Sequence, residues 1–378
     1  MTEPIGTLSF VGEGQPHKAP WFRSDDGAVE NSIDAWGHPA RYEADEGLVA
    51  AVNTALLLNK PLLLTGNPGT GKSQLAERIA WELQLGPVLR FEAQSLSEAN
   101  DLFYRFDLVG RMAESRIQHD RGQVTLSDNL GGLRPRPEDD ITHPVHFIEF
   151  GPLGKAIFLT GAAIDGADAY KKSAFDHLRR RLIRNGEFEP GRSVVLIDEI
   201  DKASRDFPND LLNGIDRMEF KIRELDNLLI AAPNQVDRRP IVIITSNLER
   251  DLPPPFLRRC AFYHIPDPNR ARLARIVHLQ KFFNRKDLDD NGLPPFYGQL
   301  LDFFLDFRQQ NSGRHAYEPG TQELLDVTEV LQRHNIDDNA TLPGRAETVR
   351  SAFAAIAKNR SDAEALIRYF ETWKPAVA

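Results

Sequence analysis

The sequence predicts an α/β fold on a buried parallel sheet, followed by a helical domain, and three observations predict it. The runs Val194–Ile197 and Ile241–Ile244 are continuously apolar and of strand length, a pattern that suits strands covered on both faces. Helical periodicities alternate with runs of this kind up to about residue 265. Beyond Pro266 the strand pattern stops and only amphipathic helices follow.

Taken in order, residues 1–40 carry Gly12-Glu13-Gly14, Pro16, Pro20 and Ser24-Asp25-Asp26-Gly27, the composition of an irregular arm. A helix is predicted from about Glu43 to Leu58, on Leu48, Val49, Val52, Ala55 and Leu56, and Lys60-Pro61 ends it. Leu62–Thr65 reads as a buried strand, Gly66–Gly71 as a glycine-rich turn, Lys72–Leu85 as a helix and Val88–Phe91 as a strand. From Ala113 to His146 glycine and proline loosen the pattern, which reads as an inserted loop or hairpin. Phe147–Phe150 reads as a strand, Lys155–Leu159 as strand or helix, and Ala169–Ile183 as a basic helix. Pro266-Asp267-Pro268 marks a boundary, and helices are predicted over Asn269–Phe283, Gln299–Arg308, Thr321–Arg333 and Glu347–Lys358. The expected organisation is an arm (1–40), an α/β core (41–265, with insertions near 113–146 and 155–190) and a helical domain (266–378).

Composition narrows the function classes. The chain has 378 residues, enough for about two domains. Forty-six basic residues against 55 acidic ones give a net charge of −9, so no global field draws it to nucleic acid or anionic lipid. The single cysteine, Cys260, excludes an internal disulfide and a four-cysteine zinc site. With no leader-like start and no run near the ~18 apolar residues of a membrane span, a cytoplasmic protein is expected.

The strongest motif is Gly66-Asn67-Pro68-Gly69-Thr70-Gly71-Lys72-Ser73, a full G-x-x-x-x-G-K-[ST] with an apolar strand before it and a helix after it. Such a loop turns backbone N–H groups inward, and with the helix N-terminus these hold phosphate oxygens. Lys72 would reach the outer phosphates, and Ser73 would give its hydroxyl to Mg2+. The loop alone does not specify hydrolysis, since kinases and switches share it.

The next strand end supplies the acid pair. Asp198 suits a Mg2+ ligand and Glu199 a base that polarises the attacking water, at the sheet edge where α/β proteins place ligands. Asp201 reads as a helix-start or surface residue. Ile241–Ile244 runs into Thr245-Ser246-Asn247, where Asn247 either holds the water or γ-phosphate or simply forms a turn. Arg258-Arg259 is either a surface basic pair or an arginine finger for a neighbouring subunit.

In this order the segments resemble the AAA+ ATPases, and more closely their MoxR-type, dynein-related branch. The markers are Tyr42–Val49 with Lys60–Leu64, the loop Gly66–Ser73, Asp101-Leu102 with Gly110-Arg111, Gly151-Pro152-Leu153-Gly154, Asp198-Glu199, Thr245-Ser246-Asn247, Leu252-Pro253 through Phe256–Arg259, and Glu318-Pro319-Gly320-Thr321 with Glu323–Leu325. The resemblance implies a P-loop sheet core with a C-terminal helical lid, and adenine between the Tyr42–Leu48 segment, Tyr42 included, and that lid. Asp198-Glu199 then look like Walker B, Asn247 like sensor 1, and Arg259, with Arg258 as its understudy, like a finger acting in trans. A homo-oligomeric ring, commonly of six, is implied, as is a protein client, such as one with a von Willebrand factor A domain, in chaperone-like or bacterial conflict roles. The chain departs from the family where sensor 2 would lie: Pro319-Gly320 stands there, with Arg314 and Arg345 as the nearby arginines.

Other features have ordinary readings beside sharper ones. His143 and His146, three apart, could suit a metal but read as solvated or satisfied histidines, as does His119. Arg179-Arg180-Arg181 with Arg184 could line a pore but read as a solvated helix face. Phe282-Phe283 and Phe303-Phe304 read as lid core, and Cys260 as packing. Three activities fit: a ring ATPase that remodels a protein, a nucleic-acid motor, which the acidic balance disfavours, and a slow nucleotide-dependent scaffold or switch.

Overall fold

The computed structural model describes residues 10–12, 38–120, 140–162, 164, 167–184, 191–233, 238–282, 288, 292–311 and 319–375. Two compact units emerge. One holds Asp45–Thr65 and Ala76–Tyr263; the other holds Gly66–Leu75, the described stretch 38–44 and the chain from His264 onward.

The first unit carries a five-stranded sheet. Its strands are β1 (Leu62–Thr65), β2 (Leu89–Glu92), β5 (Val194–Asp198), β8 (Ile241–Ser246) and β9 (Ala261–His264), in the spatial order β2-β5-β8-β1-β9. β1, β2, β5 and β8 pair in parallel, with Thr65 opposite Ser246, Ile197 opposite Ile244 and Glu92 opposite Asp198. This register brings Thr65, Glu92, Asp198 and Ser246 to one edge, the carboxyl ends of the strands. β1 and β8 are buried along their whole length, as their unbroken apolar runs require, whereas β2 alternates buried and exposed residues.

Helices flank these strands: α1 (Glu46–Leu58), α2 (Lys72–Glu82), α3 (Leu108–Asp120), α4 (Pro152–Leu159), α5 (Ala169–Arg184), α6 (Phe207–Arg217) and the single turn α7 (Pro254–Leu257). Asp45 caps α1 by accepting the Leu48 N–H at 2.8 Å, which is why the helix starts at Glu46 and not at Glu43. The core draws Leu63, Val195, Ile197 and Ile244 together with Phe91 and Phe207, whose rings stack at 5.9 Å. Each such fully buried side chain contributes roughly 1.5–3 kcal/mol over its exposed state.

Several elements differ from the sequence expectation. Residues 113–120, expected as loosened chain, belong to a helix that begins at Leu108, while Gly131, Gly132, Pro135 and Pro137 lie outside the described residues. Lys155–Leu159 is the end of α4, a helix with Pro152 in its first turn. Two small antiparallel pairs were not expected in full: β3 (Tyr104–Phe106) with β4 (Ile148–Phe150), and β6 (Glu219–Ile222) with β7 (Leu228–Ala231). Gly151 and Gly154 lie so close to the carbonyls of Asp101 and Phe103 that a Cβ at either would overlap them, which explains glycine in that stretch.

The second unit is helical from Arg270 onward: α8 (Arg270–Val277), a π turn (His278–Phe282), α9 (Pro295–Asn311), α10 (Thr321–Arg333), α11 (Ala346–Ala352) and α12 (Arg360–Thr372). The helix expected to Phe283 thus changes winding at His278, and the one expected to Lys358 stops at Ala352. α12, capped by the Asn359 side chain, was not anticipated. Phe303 centres the core, with Phe353, Phe370 and Trp373 at 5.8, 5.4 and 5.5 Å. Among the described residues no helix is long and apolar enough to cross a membrane.

Candidate active site

The carboxyl edge of the sheet carries a closed hydrogen-bond network. β5 ends at Asp198, and Glu199 follows with φ 55° and ψ 50°, a left-handed conformation costing a non-glycine residue about 1–2 kcal/mol. Thr245, fully buried near the end of β8, holds that turn. Its hydroxyl accepts the Glu199 N–H at 2.8 Å and donates to Asp198 Oδ1, so one oxygen fixes both acids. The Glu199 carboxylate accepts Asn247 Nδ2 at 3.0 Å on one oxygen and Lys202 Nζ at 2.5 Å on the other. That bond raises the basicity of Lys202.

Asp201 is neither a surface residue nor a simple helix start: it is 3% exposed. Its carboxylate accepts the N–H groups of Asn247 at 3.1 Å and Glu249 at 3.0 Å, fixing the turn that presents the Asn247 amide to Glu199. Leu248, at φ 60°, donates its N–H to Ser246 Oγ at 3.0 Å within that turn. Asn247 is therefore more than a turn former. Thr245 and Asp201 were not anticipated in these roles. The available signal was the period of two along β8, which sets Thr245 on the opposite face from Ser246, and a third acid within four residues.

Arg258 and Arg259 follow α7. Arg258 is exposed, and its carbonyl accepts Lys60 Nζ at 3.3 Å. Arg259 donates from Nε to the Asp216 carboxylate near the end of α6, and from Nη1 to the Pro255 carbonyl at 3.2 Å. Burial, with the Asp216 charge second, pushes the neighbouring Cys260 thiol up to about 12, so it carries no thiolate near neutral pH.

In the second unit, Gly66–Ser73 forms the glycine loop. Gly69 and Gly71 have φ of 78° and 84°. A Cβ on Gly71 would sit 3.0 Å from a ring carbon of Tyr42, which places that aromatic residue against the loop. Lys72 is buried, and its Nζ donates to the carbonyls of Gly66 at 2.8 Å and Asn67 at 2.9 Å. Thr70 Oγ1 closes on the Asn67 carbonyl at 2.8 Å. The Asn67 amide bonds both oxygens of Asp267 at 3.0 Å, and Asp267 also pairs with Arg308 at 3.3 Å. Ser73 lies in the first turn of α2. Pro68 and Gly69 face the start of α10: a Cβ on Gly69 would meet Gln322 at 3.7 Å, and one on Gly320 the Pro68 carbonyl at 3.3 Å.

Two arginines were candidates for sensor 2. Arg314 lies outside the described residues, and Arg345 is exposed on the turn Pro343–Arg345, with no hydrogen bond or ion pair to the loop. Gly320 instead caps α10, its N–H bonded to Glu323 at 2.9 Å. Of the two ordinary readings of His143, solvated or satisfied in the interior, the solvated one is excluded. His143 is 2% exposed and its Nδ1 accepts the Val145 N–H at 3.2 Å, so it is a buried neutral ring, not a solvated one. Burial, with the His146 charge second, pushes its pKa down to about 4. Among the described residues no group of three His, Cys, Asp or Glu side chains is placed to hold a metal. Arg181, expected on a solvated face, donates to the carbonyls of Val145 and His146 at 3.1 and 3.2 Å and to that of Ile148, while Arg179 and Arg180 are exposed.

The family described as "ATPase family associated with various cellular activities (AAA)" matches residues 62–266. Among solved structures, the chain is similar to the Thermotoga maritima RuvB Holliday junction branch migration motor, at 15% identity and a TM-score of 0.36 over 81% of this chain and 65% of that one. It is also similar to C. elegans PCH-2, at 14% identity and a TM-score of 0.33 over 92% of this chain and 68% of that one. The chain thus spans about two thirds of the length of these structures. No curated protein matches.

Proposed function

Because the chain belongs to the AAA family of ATPases, which hydrolyse ATP to ADP and phosphate, we propose that it is a Mg2+-dependent, ring-forming ATPase of the MoxR type that remodels or activates a protein client. One observation carries the hydrolytic part: Thr245 fixes Asp198 and Glu199 together while Asp201 fixes Asn247 against Glu199. A switch that only binds nucleotide has no use for a carboxylate held so carefully beyond the Walker aspartate.

In this reading the backbone N–H groups of Gly66–Gly71 and the start of α2 bind the phosphates, and Tyr42 flanks the adenine. On the phosphates' arrival Lys72 exchanges its loop carbonyls for phosphate oxygens. Glu199 accepts a hydrogen bond from water and orients it toward the γ-phosphorus, while Asn247 holds the carboxylate in place. Water attacks, the γ-phosphoryl bond to ADP breaks, and the water proton is taken up through Glu199. Arg259 of an adjacent subunit meets the charge that builds on the phosphoryl oxygens.

The donor set fits Mg2+, a hard cation that takes hydroxyl and carboxylate oxygens. Ser73 and Asp198 would hold it, and when bound it neutralises charge on the outer phosphates.

The client reading rests on the resemblance and on the acidic net charge, which favours a protein over nucleic acid. The MoxR assignment rests on Gly151-Pro152-Leu153-Gly154 and on the extra elements between Lys72 and Asp198. The Glu199→Gln protein should bind ATP, fail to turn it over and retain a client in an ATP-dependent pull-down. Turnover at the wild-type rate would remove Glu199 from the chemistry. An ATPase rate stimulated by DNA or RNA at low salt and lost at high salt would overturn the protein-client reading.

A further inference from the structure

Arg259 does not stand free in its own subunit. Its Nε donates to the carboxylate of Asp216 and its Nη1 to the Pro255 carbonyl, so two of its five N–H donors are committed at home and the rest stay available for phosphate. The side chain is 40% exposed and Asp216 38% exposed, so the pair lies at the surface. Exposed ion pairs of this sort add little stability. What such a pair does well is restrict a long side chain that would otherwise sample many rotamers.

The location matters as much as the bond. α6, which ends with Arg217, begins only eight residues after Glu199. Between them runs the short turn Ile200–Lys202, containing Asp201 and Lys202, which fix Asn247 and Glu199. One short helix therefore begins eight residues after Glu199 and carries, near its end, the carboxylate that holds Arg259.

We propose that Asp216 is a positioning residue for Arg259: it holds the guanidinium aimed for a neighbouring subunit's nucleotide. This rests on the reading of Arg259 as a finger acting in trans. Asp216 does not touch the nucleotide in this scheme.

Mixed rings test it. A Lys72→Ala subunit binds no ATP but offers Arg259, and an Arg259→Ala subunit binds ATP but offers no finger. Mixing the two should restore ATPase activity that neither shows alone. Asp216→Asn is then added to one partner at a time. In the Lys72→Ala subunit it should lower the restored kcat at least about tenfold with KM for ATP unchanged, since ångström-scale misplacement of a catalytic group costs up to about 100-fold. In the Arg259→Ala subunit, where no arginine remains to be held, the restored rate should equal that of the parent mixture. Asp216→Glu in the Lys72→Ala subunit should recover most of the rate.

Equal losses from both placements would show a merely structural residue and overturn the proposal. An unchanged or faster rate with Asp216→Asn in the Lys72→Ala subunit would overturn it as well. If the parent mixture restores nothing, the trans-acting finger itself fails, and the proposal falls with it for that separate reason.

Discussion

Replacing Thr245 by valine removes one oxygen and keeps the shape, and the network at the sheet edge lets the cost be worked out. The hydroxyl accepts from the Glu199 N–H at 2.8 Å and donates to Asp198 Oδ1, in a fully buried position. A hydrogen bond to a charged group contributes about 1.5–3 kcal/mol, and an N–H left unpaired costs about 1–3 kcal/mol. Glu199 can recover part of this by leaving its left-handed conformation, which relaxes about 1–2 kcal/mol of backbone strain. The expected net loss thus lies between about 0.5 and 5 kcal/mol, with a midpoint near 3 kcal/mol. That relaxation is what damages function, because it withdraws the carboxylate from Asn247. The expected drop in kcat is about 10- to 100-fold, with KM for ATP changed little. Urea unfolding reads the first quantity and steady-state ATPase kinetics the second. Thr245→Ser keeps the oxygen and should retain most of both. If Thr245→Val turned over ATP as fast as Thr245→Ser, the hydroxyl would not be what fixes Glu199.

Three further outcomes follow from the same geometry. Asp201→Ala leaves the Asn247 and Glu249 N–H groups without their acceptor, so both stability and kcat should fall, the latter about tenfold or more, while ATP binding by equilibrium titration persists. Gly71→Ala meets both a φ of 84° and the Tyr42 ring at 3.0 Å, and should weaken ATP binding at least about tenfold. His143 has a folded pKa of about 4, below its unfolded 6.5, so the unfolded state binds the proton first on acidification. The stability it contributes is complete above pH 6.5 and is lost as pH falls toward 4. In His143→Phe the slope of unfolding free energy over that window should be shallower by up to about 1.4 kcal/mol per pH unit; an unchanged slope would show that His143 is not the group responsible.

The phosphate loop was legible because everything that defines it is local: glycines, lysine and serine at fixed spacing between a strand and a helix. The same holds for β5 and β8, whose burial on both faces shows as unbroken apolar runs. What stayed hidden depends on residues distant in sequence. Asp201 looks like any strand-end acid until the turn at Asn247, 46 residues on, delivers two N–H groups to it. The partner of Arg259 lies 43 residues upstream. α3 escaped because Leu108, Val109 and Met112 stand exposed, so no buried stripe marks the helix. α12 escaped because the break after Ala352 ends the periodicity before the Asn359 cap restarts it.

Lys72 turned onto its own loop has a consequence for selectivity. The ammonium is buried and donates to two loop carbonyls, so a phosphate oxygen reaches it only by displacing them. A ligand must outbid those dipoles, and a small monovalent ion has little to offer beyond them. A polyphosphate brings several negative oxygens that the loop amides and the helix end grip at once. Those carbonyls thereby favour a ligand that offers several phosphate oxygens over one that offers a single charge.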